Sequence, residues 1–233
     1  MSARSKNLVL VGVLLVAAGL ATASIAVSVT GAKDSPAATT VHGVAETNAL
    51  LKGIPQRGNV LGRRDAPVSI ADDADYQCPY CARWALDTFP AIVGRYVRPG
   101  KAKIVFWGIA ILGEDSETAL QTAVAAGRQN RLWHVTELLF HNQGTENAGW
   151  VTDGVLKDIG ASVRGLDADG MMDRRGSAEV AAVIGNAQAA AQAANVTGTP
   201  EFEIGKTGGP MTQLQGARPF EDFRSVIDGL LAK

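Results

Sequence analysis

Two cysteines and three histidines are all that this 233-residue chain holds of the side chains that most often bind metals or attack substrates. Charge is also sparse, at 19% of residues, with a formal net charge of −1. Arg4 and Lys6 are the only charges in the first thirty residues, leaving 20 basic against 23 acidic side chains beyond them. A nucleic-acid-binding domain needs a basic face to neutralise phosphates, so that class is excluded. Wholesale disorder is excluded too, because 46% of the residues are hydrophobic and can bury a core. No segment repeats at a solenoid period.

The apolar run Leu8–Val29, 22 residues without a charge, matches the roughly 20 residues that span a membrane as a helix. Basic residues before it place the N-terminus in the cytoplasm and the remainder outside. Ala21-Thr22-Ala23 has the small-x-small pattern of a cleavage site. The apolar run continues past it through Ile25, Val27 and Val29, so residues 1–30 read as an uncleaved anchor in preference to a signal peptide. With no cysteine near position 20, a lipoprotein anchor is excluded. Residues 31–46, rich in Ala, Thr, Ser and Pro, read as a flexible linker to a folded domain at 47–233. The expected location is the cell membrane, with the domain on the extracytoplasmic side, or secreted if the segment is cleaved.

In an oxidising compartment cysteines usually pair. Cys78 and Cys81, however, enclose only two residues, and a bridge closing so short a loop adds little stability. The pair therefore points to chemistry. Zinc needs four ligands, no other cysteine exists, and His134 and His141 stand seven apart, beyond the usual spacing of three to five. Neither a metal nor a cofactor is expected.

Val68 and Ile70 mark a strand over Ala66–Asp72. Cys78-Pro79 then opens a helix, with Pro where its missing N–H is harmless. Trp84, Ala85, Phe89, Ile92, Val93 and Tyr96 continue it at helical spacing, and Pro90 is expected to kink it. Lys103–Ile109 reads as a buried strand, and both Trp84 and Trp107 are expected in the core. A helical stretch runs from Ser116 to about Asn195, covering Thr118–Arg128, Leu132–Leu139, Val155–Ile159 and Ala178–Ala194. Strand-like Phe202–Ile204 and Met211–Leu214 flank Thr207-Gly208-Gly209, and an amphipathic helix closes the chain over Pro219–Leu231. The cysteines thus sit at the turn of a strand–helix–strand unit.

A helix start stabilises a thiolate through free N–H groups and the helix dipole, lowering a thiol pKa from about 8.5 to roughly 3.5–7.5 in such motifs. Cys78 is expected to be the ionised nucleophile, and Cys81 the shielded thiol that resolves mixed disulfides. Tyr80, between them, can contact substrate or tune Cys78.

Asp75-Tyr76-Gln77-Cys78-Pro79-Tyr80-Cys81 resembles the active-site segment of DsbA-like thiol–disulfide oxidoreductases of the thioredoxin superfamily. Leu51–Gln56, Leu61-Gly62, Ala66-Pro67-Val68, Gln143–Asn147 and Gly149–Thr152 are similar to the subgroup of BdbD and the actinobacterial membrane-anchored members. Val196-Thr197-Gly198-Thr199-Pro200-Glu201-Phe202 is similar to the family's cis-proline loop. The resemblance implies an α/β thioredoxin fold, with a large all-helical insertion at about 113–195 between the first βαβ unit and the C-terminal hairpin and helix. It also implies a redox-active Cys78–Cys81 disulfide, a cis Pro200 facing Cys78, and a substrate-binding rim of Thr199, Pro200, Pro79 and Tyr80. Thr199 would offer backbone groups to an extended polypeptide. Asp72, six residues before Cys78, is where this fold often holds a buried acid that moves the proton of the second cysteine. Asp73 departs from the family pattern and is either exposed or shares the Asp72 site.

Cys-Pro-Tyr-Cys also occurs in glutaredoxins, but 118 residues separate Cys81 from Pro200, far more than one βαβ unit of roughly 30. The expected activity is therefore introduction of disulfides into exported or unfolded polypeptides by a monomer, reoxidised by a membrane partner of the DsbB or VKOR type. A reductase or isomerase on the same fold, or a peptide-binding chaperone without turnover, are the alternatives.

Overall fold

The computed structural model describes residues 40–232. Helix α1 (Val44–Leu51) begins three residues before the expected start of the folded region. The short strands β1 (Gln56–Arg57) and β2 (Val60–Leu61) lead into the central strand β3 (Val68–Ala74). Helix α2 (Pro79–Asp87) follows with Pro79 in its first turn. Pro90 has no N–H to continue that helix. The chain accordingly breaks at Thr88 and resumes as α3 (Phe89–Ile92) and a π turn over Val93–Val97, a break in place of the expected kink. Strand β4 (Ala102–Gly108) completes the unit.

The insert comprises α4 (Glu114–Gly127), α5 (Leu132–His141), α6 (Asp153–Ser162), α7 (Ala168–Arg174) and α8 (Ala178–Ala193). Helix α7 was not anticipated, because its single turn or two is polar around Gly170. Its Asp167 nevertheless caps it by accepting from the Gly170 N–H at 3.0 Å. Strands β5 (Glu201–Lys206) and β6 (Met211–Gln215) form the hairpin, and α9 (Phe220–Leu231) ends the chain.

The sheet order is β1-β2-β4-β3-β5-β6, with β3 and β4 parallel and the other pairs antiparallel. This is a thioredoxin fold with a helical insertion. Register sorts its side chains, since residues directly opposite share a face. Asp72 pairs with Phe106 and Phe202, whereas Asp73 pairs with Trp107 and Glu201. The Asp72 face carries an aromatic core. Trp84 of α2 rests on Phe202 (4.5 Å between centroids), Phe223 of α9 meets Phe202 edge-on, and Trp133 of α5 meets Phe106 edge-on. Trp84 lies in this core, but Trp107 does not. Alternation along β4 turns Trp107 to the other face, where it is half-buried.

Among the described residues no helix is long and apolar enough to cross a membrane. The Leu8–Val29 run, residues 1–30 generally and most of the linker lie outside the described residues.

Trp133 is fully buried, stacked on Phe89 at 5.4 Å and 5.9 Å from Phe106. Trp133→Ala should lower stability by about 3–5 kcal/mol, read as a shifted midpoint in urea unfolding; an unchanged midpoint would show that α5 contributes little to the core.

Candidate active site

The end of β3 delivers the chain directly to Cys78, which is the residue flanking α2 with φ −71° and ψ 117°. Its carbonyl accepts the first helical bonds, from Cys81 N–H at 3.1 Å and Ala82 N–H at 3.2 Å. Cys78 and Cys81 are both free thiols here. They differ in access: Cys78 keeps 5% of its surface and Cys81 only 1%. Pro79 and Tyr80 stand exposed beside Cys78, Tyr80 at 56% with the Arg83 guanidinium over its ring. Across from them the Thr199 carbonyl accepts from the Cys78 thiol at 3.4 Å, and the Thr199–Pro200 bond is cis. The structure thus brings together Cys78, Cys81 and Thr199, with Pro200 next in chain.

Ionised, the Cys78 sulfur accepts first from the Cys81 thiol, and also from the Thr199 side chain and the backbone N–H groups of Cys81 and Tyr80. These outweigh partial burial and lower its pKa to about 6. The helix end was expected to lead; the largest contribution is instead the neighbouring thiol. Burial, and the hydrogen bond given to Cys78, push Cys81 well up. Near neutrality Cys78 is a thiolate and Cys81 a thiol, so one proton serves two sulfurs.

Asp72 lies beneath α2, 2% exposed, with its Oδ1 lacking any hydrogen-bond partner. Burial raises its pKa to about 8, so it is mostly protonated at neutral pH. Asp73 is neither exposed nor in the Asp72 site. Strand alternation sends it to the opposite sheet face, buried with Glu201 and Glu203. There burial and the Glu203 carboxylate push its pKa up.

Sequence reasoning missed the residues that hold the active-site turn. The buried Asp75 carboxylate accepts from Gln77 N–H (2.8 Å), Ile111 N–H (2.8 Å), Leu112 N–H (3.0 Å) and Ser116 Oγ (2.5 Å). The Gln77 amide bonds the Leu112 carbonyl, Ser116 and both the backbone and side chain of Asn147. Gln143 donates to the carbonyls of Tyr76 (2.7 Å) and Cys78 (3.1 Å). A second omission is Glu137 on α5, 2% exposed and in a mostly apolar stripe. The available signal was the polar pair Asp75 and Gln77 in the turn between the apolar strand and Cys78. Among the described residues no group of three or more His, Cys, Asp or Glu could hold a metal ion.

Two outcomes follow. Iodoacetamide should modify Cys78 with a rate that rises through a midpoint near pH 6, leaving Cys81 unreacted; mass spectrometry finding Cys81 labelled first would reverse the assignment. Asp72 binds its proton more tightly folded than unfolded, so its contribution to stability falls as pH rises from the unfolded pKa of about 4 to the folded value of about 8. Asp72→Asn should therefore gain stability over the wild type across that window in urea unfolding, and match it below pH 4 or so.

The family model described as thioredoxin matches residues 56–229. The chain is similar to a probable disulfide bond formation protein D of Bacillus cereus, 28% identical over 101 residues, covering 42% of this chain. It spans about half the length of that relative, 47%. It is 28% identical over 156 residues to disulfide bond formation protein D of Bacillus subtilis, covering 66% of this chain and 68% of that one. In structure it is similar to oxidised BdbD of Bacillus subtilis, with a TM-score of 0.68, 22% identity, and coverage of 77% of this chain and 98% of the other. With the fold, the register and the match over residues 56–229 in agreement, the chain belongs to the thioredoxin family.

Proposed function

We propose that the chain is a thiol–disulfide oxidoreductase that introduces disulfides into exported polypeptides through Cys78 and Cys81. The observation that carries this reading is the Cys78 sulfur, set between the start of α2 and the Thr199 carbonyl, with the Cys81 thiol donating to it. A substrate thiolate attacks Cys78 Sγ of the Cys78–Cys81 disulfide. The S–S bond breaks and its electron pair passes to Cys81. A second substrate thiolate then attacks the mixed disulfide, forming the substrate disulfide and releasing Cys78 as a thiolate. Thr199, beside Pro200, gives an extended substrate a backbone edge, while Pro79 and Tyr80 form the facing rim. Asp72 supplies or takes the proton of Cys81.

The relatives named for disulfide bond formation support this activity. The Leu8–Val29 run supports work at the outer face of a membrane, with reoxidation by a membrane redox protein of the DsbB or VKOR type. A specific observation favours a second reading, a disulfide reductase or isomerase. The Cys78 pKa of about 6 lies nearer the value of about 7 in thioredoxin than that of about 3.5 in DsbA.

The reduction potential of Cys78–Cys81 separates the two. Equilibration with glutathione should give a value toward about −120 mV for an oxidase, and one near −270 mV would replace it with a reductant. Cys78→Ser should abolish oxidative refolding of a reduced substrate, and Cys81→Ser should trap the mixed disulfide. Refolding that survives Cys78→Ser would mean a peptide-binding chaperone instead. Asp72→Asn should slow the steps in which Cys81 leaves or attacks, namely opening of the Cys78–Cys81 disulfide by the first substrate thiolate and its reversal, by roughly 10²-fold, the low end for general acid–base groups, while displacement of Cys78 by the second substrate thiolate stays unchanged.

A further inference from the structure

When a polypeptide is joined to Cys78 it covers the rim of the site. The Cys81 proton must still come from, or go to, water, and Asp72 itself has almost no surface. A second opening lies behind it. On α5, Trp133, Thr136, Glu137 and Phe140 fall on one stripe at helical spacing. Trp133 touches Phe106, the cross-strand neighbour of Asp72. Phe140 packs on Tyr76, whose ring also packs on Phe106 and whose hydroxyl bonds Thr136 at 2.8 Å. Glu137, between these anchors, is therefore held over the Asp72 region of the sheet. Glu137 also lines a cavity of about 240 Å³ between α1, α2, α3 and α5.

That cavity includes Ala85 of α2, one turn beyond Cys81 and on the same side of the helix. Thr47 of α1 lines it too, with a buried hydroxyl that has no hydrogen-bond partner in the protein. The half-buried His141 and the exposed Glu46 stand at its outer end. The wall is mainly apolar, through Leu50, Ala85, Leu86 and Pro90, so ordered water, at about 30 Å³ of liquid volume per molecule, is placed only beside the polar groups Thr47, Glu137 and His141.

We propose that Glu137 and this cavity form a proton route between solvent and Asp72, opening behind α2, away from the bound substrate. The inference rests on the Asp72 role given above. In the oxidising direction the sulfur leaving as Cys81 thiolate takes the Asp72 proton. Asp72 is reprotonated by Glu137, and Glu137 by water reaching the cavity past Thr47. Overall the oxidised pair, two substrate thiolates and one proton become a substrate disulfide, a Cys78 thiolate and a Cys81 thiol. Reoxidation returns the proton along the same path. The titratable groups facing Glu137 are Asp72 from the sheet, Tyr76 from the active-site turn, Glu46 from α1 and His141 from its own helix. Burial and the Asp72 charge both push the Glu137 pKa up, consistent with a carboxyl that carries a proton near neutrality.

The test is single-turnover transfer by the full chain between pH 5 and 9, comparing Glu137→Gln, Glu137→Asp and Thr47→Val with Asp72→Asn. Glu137→Gln should slow the Cys81 step about tenfold, less than a directly acting acid–base group can, and flatten its pH profile. The alkylation midpoint of Cys78 should not move, and Glu137→Asp should restore part of the rate. Thr47→Val, which alters neither charge nor reacting sulfurs, should slow the same step; it carries the test should Glu137→Gln fail to fold. Wild-type rates and profile in Glu137→Gln or in Thr47→Val, with Asp72→Asn still slow, would overturn the route and leave the Asp72 role standing. Wild-type rates in Asp72→Asn as well would remove both.

Discussion

One hydrogen bond, from the Cys81 thiol to the Cys78 sulfur, makes two chemically identical side chains unlike. It is the largest contribution to the lowered Cys78 pKa and adds to burial, the larger cause, in raising that of Cys81, because the donor and the acceptor stabilise opposite protonation states. Such a bond needs the sulfurs held one turn apart at a helix start. Everything near the site serves that requirement. Pro79 sets the first turn, the Cys78 carbonyl begins the helical ladder, and Gln143 takes the spare capacity of that same carbonyl. Were the turn loose, the two thiols would drift toward the same pKa and neither role would be assigned.

Burying carboxyls is expensive unless they stay neutral, and this domain buries them on both faces of one sheet. Asp72 faces the aromatic core and Asp73 the opposite side, so alternation along a single strand creates two separate acidic environments from adjacent residues. Both respond by holding their protons. Asp75, two residues on, is buried as well, but four donors satisfy it. The contrast is one of partners: four hydrogen bonds fix Asp75 in place, whereas Asp72 Oδ1 has none and burial raises the Asp72 pKa to about 8.

Much of this was legible in the chain. Period-2 and period-3.6 apolar patterns marked β3, β4, α5 and α9, and the Cys78–Cys81 spacing with Pro79 marked the site. What was not legible depended on which face a residue takes. Trp107 looks like core by composition, and only the register of β4 turns it outward. Asp73 read as either exposed or sharing the Asp72 site, and only alternation buries it on the opposite face. The clamp residues were visible as letters, Gln143 and Asn147 among them, but nothing local ties a glutamine to a carbonyl 65 residues earlier. Glu137 was hidden for a related reason, since a single acid in a mostly apolar stripe is indistinguishable in sequence from a misplaced surface residue.

The helical insert is more than an appendage to a small redox fold. It supplies the groups that grip the active-site turn, through Ser116 on α4 and Gln143 and Asn147 after α5. It also covers the aromatic face, through Trp133 and Phe140, and by covering it creates the low-dielectric site in which Asp72 keeps its proton near neutrality. A sheet open to water on that side would leave Asp72 an ordinary ionised carboxylate. The length between Cys81 and Pro200 is therefore part of the chemistry: it encloses the second cysteine while leaving the first at the rim.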